Sequence, residues 1–429
     1  MLLGLLPFTA LAVAQFPPPV KYDKVIKSPI DPRITVSYKS PQPGTCQTVY
    51  ETQRQYTGIA DGTYDRYITL PPNTLQPYQQ DYTINTFFWF VESRLNPATS
   101  PLTIWLNGGP GSSSMIGLFN ENGPCEVVQL PNNPDDGFGG YGTQARMWGW
   151  DRSSNILYVD QPDQVGFSFD KLMDGTLDLL RGGSIYMPPR PPTSLDPPWN
   201  ALNGTFPSQK PGSTVNTTQI AAQAMYHFLQ AWLTAFPQYN PGTLPNGTDV
   251  HPAGVNLFAE SYGGVYGPTF SEFFDEMNEK RANGSIPKND SLEIQLESLG
   301  IVNGCMDFLT TGEYYPRFAN NNTYGIEVIG LEDTLNQMST FSQRGGCADQ
   351  IRTCRTLAAK YDAQGEGDEQ NVNAACSNAF ETCLTIENAY RSSNRSYYDI
   401  RQMNPEPVPG GKYLEYLSQA QVQASIGAQ

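Results

Sequence analysis

An α/β fold built on a mostly parallel sheet is what the sequence predicts, and three observations predict it. Four short apolar runs read as buried strands: "LTIWLN" (102–107), "NILYVDQ" (155–161), "VNLFAE" (255–260) and "ESLGIVNG" (297–304). Between the second and third lies an amphipathic helix, "TTQIAAQAMYHFLQAWLTAFPQY", in which Ile220, Ala224, Phe228, Trp232 and Phe236 recur every four residues. At 429 residues and 39% hydrophobic content, the chain has room for one large α/β domain with insertions or for two ordinary domains. Short apolar strands alternating with helices make a sheet of this class.

Taken in order, the chain starts with "MLLGLLPFTALAVAQF", an apolar run closing on Ala12-Val13-Ala14 and too short to span a bilayer. A secretory signal peptide over 1–14 is expected. Residues 15–30 are Pro-rich and extended, and 34–100 carry aromatic-rich alternating runs that read as antiparallel strands. Met225, Leu229 and Leu233 widen the helical stripe, Thr217 or Thr218 can cap it, and Pro237 ends it. Residues 171–215 are dense in Pro and Gly and read as a long surface excursion from a core spanning 15–305. Residues 306–400 read as a helical insertion, and 401–429 as the start of a return to the core.

Seven cysteines in a chain expected outside the cell imply disulfides with one thiol left over. Cys347-x6-Cys354 and Cys376-x6-Cys383 share one spacing, so two antiparallel helices would join them as Cys347–Cys383 and Cys354–Cys376. Zinc is the alternative for this set, against which stand the absence of a nearby His and of C-x2-C spacing. Cys46 would pair with Cys125, leaving Cys305 free and buried. Sequons at Asn203, Asn216, Asn246, Asn283, Asn289, Asn321 and Asn394 are candidate glycosylation sites. A net charge of -16 with 26 Lys+Arg argues against nucleic acid and anionic membrane surfaces as partners. No later segment reads as transmembrane, and no metal or cofactor is expected.

The chemistry is carried by "LFAESYGGVYGP". A strand runs into a tight turn with Ser261 at its tip, flanked by the small residues Ala259 and Gly263, and a helix-compatible segment follows. This is a nucleophile elbow with Ala in the place of the first Gly. An acyl-transfer serine needs backbone N–H donors for the developing oxyanion. Tyr262 offers one, and the Gly-rich turn "WLNGGPGSSS" after the first apolar strand offers the other.

"WLNGGPGSSSMIGLFNENGP", "NILYVDQPDQVGFSF", "AESYGGVYGP", "LGIVNGCMD" and "YLSQAQVQASIGA" together resemble the serine carboxypeptidases, most of all the secreted fungal members, from about residue 17 onward. The resemblance implies an α/β-hydrolase fold with a helical, disulfide-stapled insertion as a lid. It implies release of C-terminal residues from peptides and proteins by acyl-enzyme chemistry. Ser261 would be the nucleophile, with Gly109 and Tyr262 as the oxyanion hole. Asn107, Gly108, Glu121 and Glu260 would hold the substrate's free terminal carboxylate. Two carboxyl groups bind an anion only when they carry protons, so activity at acidic pH is expected. Without the resemblance, Glu121 reads as well as a surface-loop residue and Glu260 as a salt-bridge partner. The family often has Cys where this chain has Ser112 or Ser113, so its core disulfide differs here, which is consistent with Cys46–Cys125.

A serine nucleophile needs a base, and the family order is Ser, then acid, then His. The chain has two histidines, His227 on the amphipathic helix and His251 in a loop, and both precede Ser261. Neither suits the role, and Asp307 has no later His to orient. The expectation is therefore a chain that lacks the last strands of the sheet with the triad Asp and His, and is nearly inactive alone. A missing C-terminal segment or a second chain would supply them. The alternatives are a truncated paralogue that binds peptide C-termini, or an acyltransferase or esterase of the same fold. The latter is disfavoured because Asn107, Glu121 and Glu260 suit a free carboxylate.

Overall fold

The computed structural model describes residues 21–50, 53–61, 70–78, 80–130, 140–178, 184–190, 201–240, 254–404 and 410–428. The expected signal peptide, His251 and Asn246 lie outside them. The strands are β1 Lys24–Lys27, β2 Thr35–Lys39, β3 Gln55–Asp61, β4 Thr86–Val91, β5 Leu102–Leu106, β6 Cys125–Gln129 and β7 Tyr141–Ala145. There follow β8 Asn155–Val159, β9 Met173–Asp178, β10 Ser184–Tyr186, β11 Ala201–Phe206, β12 Val255–Glu260 and β13 Leu296–Val302.

Eight of these form the central sheet in the order β1-β2-β3-β4-β8-β5-β12-β13. The sheet is mixed rather than mostly parallel. β8, β5, β12 and β13 run parallel, while β1 to β4 pair antiparallel with one another and β4 pairs antiparallel with β8. Parallel neighbours need a long crossover, whereas the N-terminal strands follow one another along the chain and can fold back directly.

All residues of β4, β5 and β8 are buried. That is why these strands are apolar without alternation: both faces of the sheet are covered. Phe88 and Phe90 of β4 face α1 (Thr218–Ala235), where Phe228 and Trp232 meet them. Thr217 caps α1, its side chain accepting from the Ile220 N–H. Behind it, α2 (Gly263–Ala282) adds Phe270 and Phe274 to the same apolar layer. Each such ring, fully buried, contributes about 2–3 kcal/mol before chain entropy is counted.

Phe87, Trp89 and Val91 point to the opposite face. That face takes Phe119 and two short helices near the end of the chain. Along the chain, a helical segment comes before those two helices and begins beyond β13, with α3 Phe308–Thr311, α4 Tyr314–Asn320, α5 Leu331–Ser342, α6 Cys347–Tyr361, α7 Gln370–Leu384 and α8 Asn388–Arg391. The short helices closing the second face are α9 Lys412–Leu417 and α10 Ala420–Ile426, which bring Tyr413, Tyr416, Val422 and Ile426 onto it. A disulfide joins Cys46 to Cys125 at the margin of this layer.

The helical segment has a small core of its own: Phe341, Cys347, Ala348, Cys383 and Ile386. Disulfides Cys347–Cys383 and Cys354–Cys376 staple α6 to α7. The stretch read as a surface excursion contains a three-stranded antiparallel sheet, β10-β9-β11, which its Pro and Gly content hid.

Candidate active site

β12 delivers Ser261 to the start of α2 in a left-handed conformation, φ +56. Non-Gly residues rarely adopt it, and the strain persists only where the surroundings enforce it. Here they do. The Ser261 N–H donates to the Val302 carbonyl at 2.9 Å, and its own carbonyl accepts from Gly264 N at 3.0 Å and Cys305 N at 2.7 Å. The turn is so tight that a Cβ on Gly263 would lie 2.5 Å from that of Ala259. Ala at position 259 is therefore tolerated because Gly stands at 263.

The Gly-rich turn comes to the elbow from β5. A Cβ on Gly108 would lie 2.5 Å from the Glu260 carbonyl and 2.7 Å from the Tyr262 nitrogen, so only glycine permits this approach. Gly108 is buried and Gly109, at φ +113, is exposed. The far side of the turn is anchored by Asp160, which continues β8 and is fully buried. Its carboxylate accepts from Ser113 Oγ at 2.8 Å, Ser114 N at 2.8 Å and Phe167 N at 2.9 Å. Burial pushes Asp160 up to about 6 against the pull of these three donors.

Asn107 is the hinge between turn and acids. Its Oδ1 accepts from Trp105 Nε1 at 2.8 Å and Gly117 N at 2.9 Å. The orientation of its amide is thereby fixed, and Nδ2 donates to Glu260 at 2.5 Å and to Glu121 at 3.4 Å. The two carboxyl groups lie close enough to act on each other's protonation. Burial, and next the Glu260 carboxylate, pushes Glu121 up to about 7. Burial raises Glu260 as well, against the hydrogen bonds from Glu121 and Asn107. The pair thus holds a proton at weakly acidic pH. Beside Tyr262 opens a cavity of about 180 Å³, with Pro110, Gln161, Tyr266 and Ala221 in its walls.

The sequence-derived residues Asn107, Gly108, Gly109, Glu121, Glu260, Ser261 and Tyr262 are gathered around this turn. His227 is not among them: it lies on α1 in the field of Asp31 and Arg33, and burial depresses it to about 4. Asp307 caps α3 and pairs with Arg355 at 2.5 Å. Cys305 is exposed, contrary to expectation. It follows β13, the edge strand of the sheet, and its Sγ lies 4.0 Å from Ser261 Oγ. Of the sequon residues, Asn216, Asn283, Asn289, Asn321 and Asn394 are exposed, whereas Asn203 is half-buried in β11 and accepts from Thr176.

Two residues were missed by sequence reasoning. Asp160 left a signal, an acid continuing an apolar strand. Arg146 left none, since its partners are backbone carbonyls. Among the described residues, no group of three or more His, Cys, Asp or Glu could hold a metal ion. No described helix is long and apolar enough to cross a membrane.

Comparison with solved structures places the fold. A prohormone-processing carboxypeptidase from Saccharomyces cerevisiae superimposes with a TM-score of 0.51 at 17% identity, covering 91% of this chain and 68% of that one. The architecture is that of an α/β-hydrolase. Among curated proteins, Carboxypeptidase S1 homolog A of Arthroderma otae is 40% identical over 98% of this chain and 61% of its own length. Homolog B of the same fungus is 39% identical over 97% and 60% respectively. A Carboxypeptidase Y homolog from Arthroderma benhamiae is 34% identical over 99% and 63%. The chain thus spans about three fifths of the length of these relatives. The family profile described as serine carboxypeptidase matches residues 75–429, and on that match this chain belongs to the serine carboxypeptidase family.

Proposed function

We propose that the protein is a serine-type carboxypeptidase acting at acidic pH on peptides and proteins with a free C-terminus. One observation supports this reading most: an Asn amide, fixed by Trp105 and Gly117, is aimed at Glu121 and at Glu260, the residue before Ser261, and burial raises both carboxyl groups. A substrate carboxylate fits there as an acceptor for Asn107 Nδ2, the Gly108 N–H and the protonated pair. The carboxylate clamp then presents the last peptide bond to Ser261. Attack forms a tetrahedral oxyanion facing the N–H groups of Gly109 and Tyr262, and collapse releases the terminal residue and leaves an acyl-enzyme for water.

We place the general base and its acid partner in a further segment or a second chain, because His227 lies in the field of Asp31 and Arg33, and both it and His251 precede Ser261, against the family order of nucleophile, acid, His. The same observation favours a second reading, a protein that binds peptide C-termini without turnover. The clamp is common to both. We further propose secretion after removal of residues 1–14, with glycans on the exposed sequon residues; intact mass before and after glycosidase treatment tests this.

The test of the clamp is binding of a labelled peptide and of its C-terminal amide, from pH 4 to 8. The free acid should bind below about pH 7 and weaken above it, and the amide should bind poorly throughout. The double variant Glu121→Gln with Glu260→Gln should flatten the pH dependence. An unmoved profile would overturn the assignment.

A further inference from the structure

Glu121 is the last residue of a π-helical turn, Gly117–Glu121, whose carbonyls cannot all be satisfied within so short an element. Arg146, which immediately follows β7, supplies the donors. Its guanidinium donates from Nη2 to the Phe119 carbonyl at 2.7 Å, and from Nη1 to the Gly123 carbonyl at 3.0 Å and the Leu118 carbonyl at 3.4 Å. No carboxylate among the described residues forms an ion pair with it.

Arg146 is itself held from behind. Its N–H donates to the Pro124 carbonyl at 2.7 Å, and its carbonyl accepts from Arg94. Arg94 in turn is locked in a buried ion pair with Asp151 at 2.6 Å. An arginine placed this way spends its planar fork on backbone geometry.

We infer that Arg146 is a positioning residue for Glu121: by clamping the carbonyls on both sides of it, the guanidinium aims the Glu121 carboxyl at Asn107 and Glu260. The inference rests on the clamp reading above and deepens it. The groups facing Glu121 are Glu260 on β12, Asn107 after β5 and Arg146, with Tyr158 on β8 and Tyr413 on α9 also in its field. Around Arg146 itself stand Glu126, Asp151, Tyr158 and Glu121. Of those facing Glu121, only Arg146 is cationic, so it favours the ionised carboxyl while Glu260 opposes it.

The experiment uses the full chain with the labelled peptide and its amide, in wild type, Arg146→Met and Arg146→Lys. Arg146→Met should bind the free-acid peptide about tenfold more weakly at pH 4.5. It should also carry the pH of half-loss upward, because the proton is held more tightly without the cation. Arg146→Lys should keep the wild-type midpoint and still bind weakly, since an ammonium cannot span three carbonyls. An Arg146→Met protein with wild-type melting, affinity and midpoint overturns the inference. If that variant does not fold, a folded Arg146→Lys protein with wild-type affinity overturns it equally. Wild type that binds neither peptide would sink the clamp reading; the Glu121 carboxyl ¹³C titration then decides for Arg146, and a curve unmoved in Arg146→Met refutes its role.

Discussion

Carboxyl groups stand at both ends of the Gly-rich turn, fully buried at one and half-buried at the other, and the two ends are built differently. Asp160 meets three protein donors and no other acid, so its charge organises the turn. Glu121 and Glu260 meet one amide and each other. Burial raises all three. What separates them is the supply of donors: the three donors to Asp160 hold its rise to about 6, so it ionises first and anchors the turn, whereas Glu121 beside Glu260 keeps its proton up to about 7 and stays open to an outside anion.

The sharpest way to break this comparison is to delete Asp160. Asp160→Ala leaves the Ser114 and Phe167 N–H groups and the Ser113 hydroxyl facing a hole, which should cost about 3 kcal/mol or more in urea unfolding. Asp160→Asn keeps one acceptor oxygen and should recover part of that. An Ala variant as stable as wild type would mean the turn needs no anchor.

Next in size is the pH dependence of stability. Glu121 rises in the folded state to about 7 from an ordinary 4.5, so its contribution is full below about pH 4.5 and is lost as pH climbs through about 7. Discounted for partial exposure, that is on the order of 2 kcal/mol. Asp160 loses stability over a lower window, from 3.8 to about 6. Melting temperatures from pH 4 to 8 should fall in wild type, and Glu121→Gln should remove the upper part of the fall. If the two proteins melt in parallel, the shared proton is not there.

A smaller effect follows from removing one donor. Ser113→Ala should cost about 1 kcal/mol in the same unfolding assay. The exposed acid Asp307 makes the control: Asp307→Asn keeps a good cap on α3 and loses only an exposed ion pair, so it should change stability by about 0.5 kcal/mol or less.

Legibility in the sequence divides along the same physical line. β5 and β8 were readable because burial on both faces writes an unbroken apolar run, whereas β12 is fully buried on one face only and β13, expected as a buried strand, is half-buried to exposed at the sheet edge. The spacing of Cys347, Cys354, Cys376 and Cys383 pointed to a stapled hairpin. The elbow was readable because its steric demand falls on neighbours, Ala259 and Gly263. The antiparallel joint between β4 and β8 was not, since 63 residues of chain separate their nearest ends, Val91 and Asn155, and no local pattern records the pairing. Arg146 was invisible for a related reason: its partners are main-chain carbonyls, which every residue has. Cys305 was expected inside because free thiols behave as small hydrophobes. Its place beyond an edge strand overrode that preference.

The stapled hairpin has one more consequence. The loop between α6 and α7, residues 362–369, is bridged by both Cys354–Cys376 and Cys347–Cys383. A peptide bond cut anywhere in that loop would leave the two halves covalently joined and the helices still paired. Such a nicked molecule would migrate as one band without reductant and as two with it, and a preparation that looks intact by size can therefore already consist of two polypeptides.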